Sequence, residues 1–448
     1  MLTSHVVRGR AHLAAGMIAA STVLWAVAAA AQSCVCGGIA DDTIAAQVGL
    51  DREWIVQVPF DSAAWRLAHV VVGEGLVVAQ GGDGTVAAIR TDTRPGGARR
   101  GAVAWSQRVG GSGLLEAAGI GQRVVTVARG RDVTAIDTMT GRIAWEQALS
   151  GIASAGAMPS GGWVYTPLDA GGVYRLPESR WGEAAPPPGE ESSPEGPRPG
   201  SQTGPVDIAS QGEVDFRPVA YGNGILWCNA NGLIIALVRE GDFKRRIEFE
   251  LGGPASGPPV VWNNDIFVAT RAGDLARITL RPDGLTATSG IARNEQAEEA
   301  EEVRYTGWHT VLEATPEGSP LVGGDTVVLS LGAWGVAAFS ALTGEQLWQS
   351  PQGGRPLAIT DNRVWLLDDS GFLTARDLAS GGRRERFCLG CFTLPVINAL
   401  SERLILASPG GLVVSLAPRQ TLPAVAPVPP QPDPPEPVDA PPPAADEI

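Results

Sequence analysis

The stretch Ala135-Ile-Asp-Thr-Met-Thr-Gly-Arg-Ile-Ala-Trp145 decides how this chain folds. Val133 and Ala135 before the turn, and Ile143 and Trp145 after it, alternate with polar residues, the period of half-buried strands. Asp137-Thr-Met-Thr-Gly141 lies between them as a tight turn whose last residue needs a positive φ. Glycine takes that conformation freely, whereas a residue with a Cβ loses about 1 kcal/mol or more. Asp137 and Thr140 carry side-chain oxygens that can accept backbone N–H groups inside the turn. Trp145 then starts an outer strand, where a large ring can cover the joint to a neighbouring unit.

The hairpin recurs. Ala338-Phe-Ser-Ala-Leu-Thr-Gly-Glu-Gln-Leu-Trp348 places Thr343, Gly344 and Trp348 at the same offsets. Ala375-Arg-Asp-Leu-Ala-Ser-Gly381 keeps Asp377 and the glycine but runs on to Phe387 without a tryptophan. Two apolar runs precede each copy, as in Pro320-Leu-Val and Thr326-Val-Val-Leu-Ser-Leu331. Four short strands in roughly 40 residues is the period of a propeller blade.

The pattern A-x-D-x-x-T-G-x-x-x-W, met by Ala135, Asp137, Thr140, Gly141 and Trp145, resembles the pyrroloquinoline-quinone (PQQ) repeat of the quinoprotein-type propellers. The resemblance covers roughly residues 51–418. It implies blades locked together by the motif tryptophan, and so a docking role for Trp145, Trp348 and Trp54 with Asp137, Gly141 and Gly344 shaping the turns.

Units counted along the chain start near Leu67, Leu114, Ala155, Glu213, Pro254, Thr315 and Gly354. An eighth contains only Leu394–Ile397, Arg403–Ala407 and Leu412–Leu416. Glu53-Trp-Ile-Val-Gln-Val58 is an orphan strand at the other end. Pairing it with Leu412–Leu416 completes an all-β, eight-bladed PQQ-like propeller and leaves no open edge. Seven blades, with one irregular unit merged, is the alternative.

Outside the blades, Arg8 and Arg10 precede an apolar run from Leu13 to Ala31, with small residues at its end. Residues 1–31 therefore read as a cleaved export signal, or alternatively as an N-terminal membrane anchor. Periplasmic or secreted localisation follows from the first reading. Residues 32–50 read as a linker. Residues 183–212, with Pro186-Pro-Pro-Gly-Glu-Glu-Ser-Ser-Pro194, and the proline-rich tail 419–448 have compositions that cannot bury a core. The acidic run Ala292–Glu302 reads as a solvated loop or short helix.

The formal charge is −14, or −16 without Arg8 and Arg10. Such a chain repels nucleic acid and anionic lipid, so any membrane association is peripheral. Cys388-Leu-Gly-Cys391 reads as a local disulfide in an exported protein. His69 and His309 are too few and too far apart to complete a zinc site with it. No G-x-S-x-G elbow surrounds a serine. No catalytic, cofactor-binding or metal-ligating residue is named. The family also contains PQQ-dependent dehydrogenases, which would bring PQQ with Ca²⁺, but their adjacent-cysteine ring is missing from this sequence. The chain further resembles the periplasmic propeller lipoprotein of the outer-membrane barrel-assembly machinery, a non-enzymatic protein. That resemblance implies a monomeric scaffold whose rim loops hold a protein or cell-envelope partner.

Overall fold

The computed structural model describes residues 40–92, 99–111, 113–179, 206–240, 243–280, 288–294 and 301–419. Residues 1–39, which include the stretch expected to be an export signal, residues 180–205 of the proline-rich insertion, and the tail beyond Arg419 lie outside them. One compact unit ends at Pro418. It is an eight-bladed β-propeller, with one short α-helix, Asp42–Gln47, among the described residues.

Blade 2 shows how a unit is made. Its strands Gly119–Ile120, Val124–Arg129, Asp132–Asp137 and Ile143–Ala148 pair in sequence order, each antiparallel to the next. The two middle strands are buried on both faces, and only the outer strand alternates between half-buried and exposed. That gradient explains why the sequence shows near-continuous apolar runs followed by an alternating one.

The core is not one mass. Eight hydrophobic clusters can be traced among the described residues, each between two neighbouring blades. Val127 and Ile136 of blade 2 face Val78 and Ala88 of blade 1, for example, while Ala128 and Ala135 face Val164 and Leu176 of blade 3. A blade is thus stable only with both neighbours in place.

The ring closes through the N-terminal strand. Leu50–Gln57 pairs antiparallel with Leu412–Pro418, and Trp54 lies opposite Ser415. Leu404–Ala407 follows inward. The expected inner strand Leu394–Ile397 is reduced to isolated bridges, Leu394 to Ala407 and Asn398 to Ala358 of blade 7.

Three expectations need correction. The linker 32–50 holds the helix Asp42–Gln47, capped by Asp41 accepting from Thr43 N at 2.8 Å. Its Ala45, with Val48 and Leu50, is buried against Leu357, Trp365 and Leu404 of blades 7 and 8. Six residues are too few to show a helical period, so the sequence hid it. The insertion reaches only to 205, because Val206–Ala209 is the outer strand of blade 3, with Ile208 turned into the core. The acidic run is likewise not a loop or helix at its described ends. Thr288–Asn294 and Glu301–Val311 pair antiparallel across it. Thr288–Asn294 also pairs with Phe243–Glu250, the outer strand of blade 4. Blades 4 and 5 therefore share one continuous nine-stranded sheet.

Candidate interaction face

Hydrogen bonds inside the turn fix the motif hairpin. Asp137 Oδ1 accepts from Thr140 N and Thr140 Oγ1, each at 2.7 Å, and Gly141 N donates to Asp137 O at 2.9 Å. Gly141 has φ 72° and Gly344 φ 76°. A second reason for glycine is the close approach of the preceding blade's tryptophan. A Cβ on Gly141 would stand 2.8 Å from Trp105 Cδ2, and one on Gly344 2.5 Å from Trp308 Cε3.

Each docking indole belongs to the outer strand of one blade, and four of them donate to a backbone carbonyl of the next. Trp105 donates to Thr138 O at 2.9 Å, Trp145 to Glu178 O at 2.8 Å, Trp308 to Ala341 O at 3.0 Å and Trp348 to Leu378 O at 2.8 Å. Trp54, Trp105 and Trp348 are buried, whereas Trp145 and Trp308 are half-buried. Trp54 packs on Gly101, and its indole nitrogen has no hydrogen-bond partner among the described residues.

Sequence reasoning missed Trp105 and Trp308 as docking residues. Trp308 and His309 both lie on the strand Glu301–Val311. His309 Nε2 lies 2.9 Å from Asp274 Oδ1 at the surface, and His69 Nε2 lies 2.8 Å from Leu115 O. A residue-level signal existed for Trp105. The register slips by one residue just before Trp54, Trp105, Trp145 and Trp348, leaving Glu53, Ala104, Ala144 and Leu347 as bulges. In blade 7 the same bulge is Arg384, so the tryptophan position is held by Glu385 and not by Phe387. Phe387 packs beside Trp365 instead, their centroids 6.5 Å apart.

Cys391 is disulfide-bonded. Cys388 ends an outer strand opposite Phe372, whereas Cys391 follows the turn at Gly390 and packs on the cluster holding Ala45 and Leu50. Cys228 is buried, which pushes its thiol up to about 12.

Antiparallel hairpins put the first-to-second and third-to-fourth turns of every blade at one mouth of the ring. The second-to-third turns and the connections between blades lie at the other. On this connection face the backbone entering each of blades 1 to 5 is pinned to that blade's own middle turn. Gly82 N donates to Arg66 O, Gly130 N to Leu114 O and Asp169 N to Ile152 O, at 2.9–3.2 Å. Blades 4 and 5 repeat the bond from Ala230 N to Glu213 O and from Arg271 N to Pro254 O.

Three consecutive pinned connections carry exposed apolar side chains. Trp65 is 48% exposed, Leu114 80% and Ile152 49%. Trp65 is further held against Gly82, with its Cε3 at 3.1 Å from where a Cβ would stand. Val311 and Trp334 add exposed apolar surface on the same face at blades 5 and 6. Exposed carboxylates flank the arc at Asp61, Asp132 and Asp169. Among the described residues, no cluster of three or more His, Cys, Asp or Glu is placed to hold a metal ion. No helix among them is long and apolar enough to cross a membrane.

Comparison with known proteins agrees with this architecture. Residues 83–178 and 304–386 match the family described as outer membrane protein assembly factor BamB. The crystal structure of BamB from Moraxella catarrhalis matches with a TM-score of 0.57 at 18% identity, covering 82% of this chain and 97% of that one. A computationally designed protein, Ika8, matches with a TM-score of 0.52 at 12% identity, covering 80% and 98%. No curated protein matches the chain in sequence.

Proposed function

We propose that this chain, a PQQ-like eight-bladed β-propeller similar to BamB, is a non-enzymatic, exported scaffold that binds a protein of the cell envelope. The observation that supports this reading best is the apolar arc of Trp65, Leu114 and Ile152 on the connections into blades 1, 2 and 3. Apolar side chains on rigid backbone lose little entropy when a partner covers them, and an exposed tryptophan such as Trp65 has the character of a binding hot spot. Equivalent hydrogen bonds hold all three connections, so the arc is pre-organised and not a set of loose loops. A single chain presents it, and no cofactor is needed for the role.

The test is site-specific photo-crosslinking in intact cells. A photoreactive residue at Leu114 should capture an envelope protein, and one at Ile143, exposed on an outer strand, should not. Equal capture at both positions, or at neither, overturns the reading. The enzyme alternative is checked separately by adding PQQ with Ca²⁺ to purified protein. A bound chromophore with dye-linked alcohol oxidation would replace the scaffold reading.

A further inference from the structure

The opposite mouth of the ring holds a cleft that the arc does not use. It has a volume of about 230 Å³ and lies where the first blade meets the eighth, at the seam closed by the N-terminal strand. Val72 and Ile405 form its apolar wall, Leu400 its rim, and Thr91, Ser401 and Glu74 its polar groups. Leu400 is 60% exposed, and nearby Ile397 is 45% exposed.

Charge decides what the cleft can take. Arg403 also lines it, but its guanidinium is committed to Glu53, donating from Nε to Oε2 at 2.6 Å and from Nη2 to Oε1 at 3.2 Å. The Glu74 carboxylate is exposed at the mouth and makes no ion pair among the described residues. Asp92 approaches the same turn, its Oδ2 at 3.2 Å from where a Cβ on Gly75 would stand, and pairs with Arg90 at 3.8 Å. The cleft therefore sets the apolar side chains of Val72, Leu400 and Ile405 beside polar groups, with the Glu74 carboxylate at one end. An anion would face Glu74, and the guanidinium of Arg403, the one among the described lining residues, is already paired with Glu53. The volume is also below the range of pockets that enclose a free drug-sized molecule. It suits one long side chain, whose methylene stem lies on apolar surface while its charged head meets a carboxylate.

We propose that this cleft takes a lysine or arginine side chain from a protein partner. The proposal rests on the scaffold reading above and adds a second contact, on the other face of the ring. A partner with a basic residue beside an apolar one would engage Glu74 and the Leu400 rim together.

The probe is a blocked tripeptide, acetyl-Leu-Lys-Leu-amide, titrated into the full chain and followed by backbone amide shifts. Saturable shifts are expected at Gly73–Gly75 and Leu400–Arg403. The norleucine analogue, which keeps the stem and loses the charge, should bind at least tenfold more weakly. Glu74→Gln should weaken the lysine peptide by the same factor, and Leu400→Ala should weaken both peptides. Glu74 is on the surface, so its variant tests the charge without disturbing the fold. Equal binding of the two peptides, no effect of Glu74→Gln, or shifts confined to other regions overturns the proposal. If that occurs while crosslinking at Leu114 persists, the scaffold reading stands without this site. Peptide binding without crosslinking would leave the site and remove the arc.

Discussion

At the scale of single residues, the blade joints depend on positions where one atom cannot be added. Gly141 combines a left-handed backbone with the Trp105 ring pressed against its Cα, whereas Gly371 has a similar φ of 78° and open space around it. Gly371→Ala should therefore cost only the conformational term, about 1–2 kcal/mol. Gly141→Ala adds overpacking and should cost about 3 kcal/mol or more. Chemical denaturation of the two variants checks this, and equal losses would show that the indole does not restrict the turn. Glu53 fastens the closing joint by charge, through Arg403 and Arg100. Burial would raise its carboxyl, but the hydrogen bonds and charges of Arg403 and Arg100, with Ser415, outweigh burial and hold it below its usual value of 4.5. A depressed carboxyl stabilises the fold above the unfolded value and loses that contribution as pH falls through the folded one. Glu53→Gln should thus lower stability by about 2 kcal/mol at pH 7. The gap from wild type should shrink below about pH 4.5. A gap that stayed constant down to pH 3 would show that the ion network contributes nothing. Trp145 and Trp348 were legible in the sequence because Thr-Gly stands four residues ahead of each. Trp105 was not, because its turn runs longer, from Thr91 to Gly101, although Ala104-Trp105 repeats the pair Ala144-Trp145.

At the scale of elements, antiparallel strands with local turns were readable, and everything that depended on a distant partner was not. The outer strand of blade 2 follows from the hairpin beside it. The strand Thr288–Asn294 follows from no local rule, since its role is to pair with Phe243–Glu250 some 40 residues earlier. The helix Asp42–Gln47 is similarly placed by its neighbours, through Asp42 to Arg52 at 2.6 Å and through Arg363 donating to Val48 O. Sheet continuity across blades 4 and 5 has a measurable result. Residues Arg245–Glu248 have strands on both sides, whereas Ile143–Ala148 has one side open. Amide hydrogen exchange should be slower by tenfold or more over 245–248 than over 143–148, as fewer of those amides face water. Similar rates would mean that the bridge opens as readily as an ordinary blade edge.

At the scale of the whole molecule, the blade count was legible because each unit repeats a length, and closure because one strand was missing at one end and spare at the other. Truncation tests that closure. Removing residues 40–57 takes away the helix, the outer strand of blade 8 and the Trp54 anchor, and exposes Leu412–Pro418 as an apolar edge. The melting temperature should fall and the protein should self-associate. Removing residues 420–448 should do neither, and a larger effect from that deletion would contradict the assignment. The same pairing also sets an order in time. Leu50–Gln57 is synthesised before any blade exists, yet its partner Leu412–Pro418 is the last described strand to be made. The first strand must wait through seven blades for the one sheet that accepts it, while its unpaired edge is open to wrong partners. Blade 8 therefore cannot be completed until the last described strand has been made, and its closure needs the two ends of the chain to meet.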